Sequence, residues 1–114
     1  MTNPKRGEVE LQFGDTKYLG RINLDTIIRM ETILGMSILK LTQQLSEGNM
    51  TTSECIAILQ PVLKSSQQKL EEAQIKNLVW EHGIATAIRE CGKVLTVALS
   101  TGDEGNEEVL NEVV

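Results

Sequence analysis

The chain has 114 residues, 40% hydrophobic and 24% charged, with a formal net charge of -5, which allows one small soluble domain with a modest core. Residues 1–70 hold eight basic and seven acidic side chains and residues 71–114 hold three and nine, so the second half disfavours a phosphate-binding surface, which needs clustered Lys and Arg. The polar start, Met1 to Glu8, does not read as a secretory signal, no apolar run approaches the ~20 residues of a membrane span, and two cysteines make no disulfide framework, so the cytoplasm is the expected compartment.

Polar and apolar residues alternate strictly from Glu8 to Phe13. That period of two predicts a strand with Val9, Leu11 and Phe13 on one face. Gly14-Asp15 is a turn signal, and Tyr18 to Ile22 is expected to return as a second strand with Leu19 opposite Leu11. A hairpin this short is marginal alone, so it must pack on the helical remainder of the chain.

The period then becomes helical. Asp25 is the expected N-cap, with Thr26 competing. Ile27, Ile28, Met30 and Leu34 form the apolar stripe, and Gly35 ends or kinks the helix. Ser37 is expected to cap a second helix with the apolar set Ile38, Leu39, Leu41 and Leu45. Gly48-Asn49 breaks the chain. Thr51-Thr52-Ser53-Glu54 is a capping box, with Met50 placed as a hydrophobic staple. Pro61 falls inside the following apolar pattern, where it removes an amide donor. A kink near Ile58 and Leu59 is expected, with two short helices as the stronger form.

Ser65 to Gln68 reads as a loop. A helix is expected over Leu70 to Trp80, broken at Gly83. Ile84 to Ser100 carries the longest stripe (Ile84, Ala87, Ile88, Cys91, Val94, Leu95, Ala98) and is the expected central helix. The predicted fold is therefore α+β, a short N-terminal β-hairpin followed by a compact bundle of four to five helices. Residues 1–6 are expected to be a flexible start, 7–100 the domain, and 101–114 a disordered acidic segment. That last segment holds five acids and no base. Its Val109, Leu110 and Val113 would let it fold on a partner.

Little in the chain supports catalysis. Nucleophilic chemistry needs a nucleophile and an oriented base. His82 is the one imidazole and is expected at a helix end or on the surface. Cys55 and Cys91 are expected as small core hydrophobes. A zinc site wants about four Cys, His or carboxylate ligands, and the local spacings supply none. No Gly-rich loop leads from a strand into a helix with a Lys, so a phosphate cradle is absent. The expectation is a non-enzyme with no cofactor and no metal.

The candidate partner-binding residues are Trp80, Tyr18, Met30, Met36 and Met50. A lone Trp in a small helical domain is most often partly buried core, and its other reading is an interface anchor. Tyr18 divides the same way. The three methionines are adaptable core fillers, or they line a peptide-binding groove.

Several segments carry a resemblance. They are Asn3-Pro4 through Arg6-Gly7-Glu8-Val9, the turn at Gly14-Asp15, the helix start from Leu24 to Gly35, Thr51 through Leu63, Leu70-Glu71-Glu72-Ala73, and His82-Gly83-Ile84. In this order over residues 3–99, the chain resembles the small tail tube/tail assembly chaperone family of gene transfer agents and related tailed prophages. The resemblance implies no catalytic residues. It implies a chaperone or adaptor that binds the tape measure protein, or other tail proteins, and keeps its hydrophobic helices soluble. Pro61 and residues 102–114 depart from the matched pattern.

Two other functions remain open. A structural tail subunit would need more extended sheet than two short strands provide. A regulatory or DNA-binding helical domain would need more bases on Glu54 to Lys64 or Ile84 to Ser100. Neither nucleic acid nor membrane is expected as a partner. Pairing of two copies would suit so small a domain, but no heptad seam specifies it.

Overall fold

The alternation from Glu8 is realised as β1 (Glu8–Phe13), which buries Val9, Leu11 and Phe13, and it pairs antiparallel with β2 (Thr16–Arg21). The computed structural model describes residue 3 and residues 6–100. Residues 1, 2, 4 and 5 of the expected flexible start (residues 1–6), and the whole acidic segment 101–114, lie outside them. The described chain is α+β: the hairpin precedes five helices, α1 (Leu24–Leu34), α2 (Ile38–Glu47), α3 (Thr52–Ser65), α4 (Glu72–His82) and α5 (Ile84–Ser100).

Phe13 pairs with Thr16, leaving Gly14 and Asp15 as a two-residue loop. Gly14 takes φ 64°, the positive value that tight hairpin turns demand at their first position. This loop length fixes the register. Leu11 faces Tyr18, and Leu19 lies opposite Glu10, half exposed. The expected Leu11–Leu19 pair is therefore wrong by one residue, which in a strand moves a side chain to the other face. Tyr18 and Gly20 point inward instead.

The cap of α1 also differs from expectation. Asn23, in extended conformation, accepts from the Thr26 amide at 2.9 Å. Asp25 lies inside the first turn, where its charge still suits the helix N-terminus. Ser37 caps α2 as expected. Leu39 does not join the core: it is 70% exposed, because the adjacent Ile38 takes the inward position. Ile28 is likewise half exposed.

The capping box of α3 is present in both directions, Thr51 amide to Glu54 at 2.8 Å and Glu54 amide to Thr51 at 3.2 Å. Two short helices do not form. Pro61 sits within one 14-residue helix. Cys55, Ile58 and Leu59 before it and Val62 and Leu63 after it are all buried, so packing on both sides offsets the one amide bond that proline forfeits. The expected loop begins later, since Ser65 ends the helix and Ser66 is its C-cap. The Ser65 hydroxyl accepts from the Arg21 amide at 2.8 Å, tying β2 to the end of α3.

The helix expected over residues 70–80 runs over Glu72–His82. Helix α5 covers the expected range and packs against α3, α2, β1 and α4. It is the central helix, with Ala87, Cys91, Val94 and Leu95 wholly or almost wholly buried.

Candidate functional site

Trp80 is 84% exposed. The helical period explains this. Ile75 and Val79 turn α4 toward the core, and Trp80 follows Val79 by one residue, so it faces outward. It borders a shallow depression with Ala73, Gln74, Lys76 and Asn77. None of these covers the indole. The partly buried reading of Trp80 is thereby excluded for this chain alone.

The other candidates lie elsewhere. Tyr18 is 8% exposed, with its ring edge against Phe13 at 6.3 Å. Met30 is 2% exposed. Met36 and Met50 are half buried and pack against the core. The structure brings these four into or against the core rather than onto one open groove, and it separates them from Trp80. Sequence reasoning missed other exposed apolar side chains: Leu24, Ile28 and Ile33 on α1 and Leu39 on α2. A signal existed, because Leu24, Ile27, Ile28, Met30, Ile33 and Leu34 encircle α1 more widely than one buried face requires.

A groove of about 670 Å³ runs between β2, α1 and α3. Arg21, Arg29 and Lys64 line it together with Met30, Ile33 and Pro61. No carboxylate is among its lining residues. Its cations are far apart in sequence, so no local pattern announced it.

The polar chemistry gathers at the hairpin tip. Glu90 is 1% exposed. Its carboxylate accepts from the Gln12 amide at 2.7 Å and pairs with Lys93 at 2.9 Å and Arg89 at 3.4 Å. His82 shares this depression, but its ring packs on Phe13 at 6.0 Å, and no hydrogen bond joins it to Glu90. The arrangement fixes β1 to α5 and leaves that carboxylate fully engaged. Among the described residues no group of three or more His, Cys, Asp or Glu is placed to hold a metal ion.

Both cysteines are wholly buried. The Cys91 thiol donates to the Cys55 carbonyl at 3.3 Å. Its hydrogen bonding with the Cys55 side chain, reinforced by burial, holds it well above the ordinary thiol range. Because both thiols are sealed in the core, out of reach of reagent, neither cysteine should react with a thiol reagent at pH 8 while the protein is folded. Both should react once urea unfolds it. Prompt stoichiometric labelling of the folded protein would contradict this core.

With this geometry in hand, the comparisons are decisive about family. The family model described as "Phage tail tube protein, GTA-gp10" matches residues 6–101. The chain belongs to that phage tail family. Its general role is accordingly in tail assembly. The comparisons with curated proteins and with solved structures return no match. Among the described residues, no helix is long and apolar enough to cross a membrane.

Proposed function

We propose that this chain is a non-enzymatic tail assembly chaperone or adaptor, which binds the tape measure protein and keeps its hydrophobic helices soluble. The observation that carries this reading is Trp80, an 84% exposed indole in a chain that belongs to a tail family. Burying so large an aromatic surface against a partner is a common source of binding energy. Leu24, Ile28, Ile33 and Leu39 add further apolar surface on other helices. An amphipathic target helix is the partner such surfaces suit.

Co-expression with tape measure fragments tests the reading. The wild-type chain should carry a fragment into the soluble fraction as a complex. Trp80→Ala should weaken that complex by about 30-fold, or ~2 kcal/mol, the scale of an interface hot spot. Its unfolding free energy should stay within ~0.5 kcal/mol of wild type, as for other exposed positions. A wild-type chain that ignores every fragment would refute the proposal.

The family description, a tail tube protein, favours a second reading as a structural tail component. The described residues hold a single two-stranded sheet, which gives a tube wall little to extend. Ring-forming, stoichiometric occupancy of this chain in assembled tails would establish the structural role.

A further inference from the structure

We propose that the groove between α1 and α3 docks a helix of a partner protein, one that is apolar along its contact side and acidic along its flanks. Neither Trp80 nor any other α4 residue lines this groove, and the inference does not rest on the tape measure reading.

The walls dictate the shape of the occupant. Helix α1 contributes Thr26, Arg29, Met30 and Ile33. Helix α3, on which α1 packs, contributes Ala57, Gln60, Pro61 and Lys64. Each set falls at i, i+3, i+4 and i+7, which is one stripe of a helix. Two such stripes facing one trough are what a third helix fills when ridges pack into grooves. Each stripe covers seven residue steps, or about 10 Å. The contact therefore takes in about two turns of the incoming helix.

The apolar side of the partner follows from the lining. Met30, Ile33 and Pro61 share the trough, and Ile33 is 67% exposed although it belongs to a well-formed helix. Covering it removes apolar surface from water at no cost to the fold.

The acidic flanks follow from charge. Residues 1–100 hold all eleven basic side chains and eleven of the sixteen acids, so the body is balanced and the groove is a local excess. Arg21, Arg29 and Lys64 line it, and the two carboxylates of α1, Asp25 and Glu31, do not. Glu31 is already turned to the Ile38 amide at 2.9 Å. Arg21 donates to the Arg6 carbonyl at 3.0 Å, a neutral acceptor that leaves its charge unmatched. No ion pair among the described residues neutralises any of the three cations. Carboxylates on a docked helix would supply that match and fix its orientation.

The test uses the full chain and two fluorescein-labelled peptides of about 16 residues, long enough to form helix. Both carry leucine at alternating three and four spacings. One has glutamate at its flanking positions and the other has lysine. At about 50 mM salt, the glutamate peptide should shift the amide signals of Arg29, Met30, Ile33, Gln60 and Lys64. Those of Lys76 and Trp80 on α4 should stay in place. Arg29→Glu/Lys64→Glu should weaken the glutamate peptide by about 10-fold or more and make the lysine peptide the better binder. Ile33→Ser, at an exposed position, should weaken the glutamate peptide by about 5-fold through lost apolar contact. Raising salt to about 0.5 M should weaken wild-type binding, because these charges are exposed. Equal affinity of the wild-type chain for the two peptides, shifts on α4 in place of the groove, or no saturable binding would overturn the proposal. Groove shifts that follow the concentration of the protein alone would assign the site to a second copy. Tighter saturable binding of a short DNA duplex in the groove would assign it to nucleic acid. Either result would overturn the partner-helix form.

Discussion

Gly20→Ala is expected to lower the unfolding free energy by about 3 kcal/mol, at the upper end of what an added methyl does in a packed core. A Cβ at this position would overlap the Val62 carbonyl oxygen and sit 2.8 Å from its carbonyl carbon. Both are backbone atoms of a helix, so neither can rotate away. A tolerable carbon–oxygen contact is about 3.3 Å or longer, so β2 must retreat from α3 by roughly an ångström. That retreat also stretches the 2.8 Å bond from the Arg21 amide to Ser65, one residue along. In a domain this size the loss corresponds to about 12–24 °C in Tm. Gly35→Ala provides the contrast. Its φ of 68° favours glycine, but nothing lies within 4 Å of an added Cβ, so only the backbone penalty of about 1–2 kcal/mol applies. Urea unfolding of the two variants beside wild type separates these effects. A Gly20→Ala midpoint equal to that of wild type would show that β2 does not rest on α3 in this way.

Glu90→Ala should have an effect of comparable size, a loss of about 3 kcal/mol. The carboxylate is 1% exposed and receives the Gln12 amide from a strand 78 residues away. Removing it leaves that part-buried amide without its acceptor, at about 1–3 kcal/mol, and opens space where the side-chain methylenes packed. Lys93 and Arg89 contribute less to the loss. Their side chains are 46% and 69% exposed, so water takes over their solvation. Glu90→Gln should retain an acceptor for the Gln12 amide and lose about half as much. Hydrogen exchange adds a local readout: in Glu90→Ala the amide of Gln12 should exchange faster by more than the global stability change accounts for. Equal stability of Glu90→Ala and wild type would mean that the strand is held to α5 by apolar packing alone.

Both variants act on the hairpin, and the hairpin shows how far sequence reasoning reaches. Its existence and its buried face on β1 followed from alternation alone. Its register did not, since Leu11 meets Tyr18 rather than Leu19. The decisive quantity was the two-residue loop, which the composition of the turn indicated but did not count. Pro61 shows the same boundary from the other side. A local rule against proline in helices was outweighed by the buried residues on either side of it. Glu90 was passed over because it reads as one more helix-surface acid. Only the approach of Gln12 and the shielding by Arg89 and Lys93 make it a buried link.

What the sequence by itself determined were the features carried by neighbours along the chain: the strand period, the Ser37 and Thr51 caps, the glycine stops and the long stripe of α5. These depend on spacing and on backbone conformation, both of which are local. The tertiary structure alone decided which apolar side chains were left over. Trp80 and Met30 are both apolar helix residues, yet one stands in solvent and the other is sealed. The difference arises from which helix face meets a neighbour, a choice made jointly by all the packed elements and written in no single segment. The groove lined by Arg21, Arg29 and Lys64 has the same origin, since its charges converge only when β2, α1 and α3 are packed together.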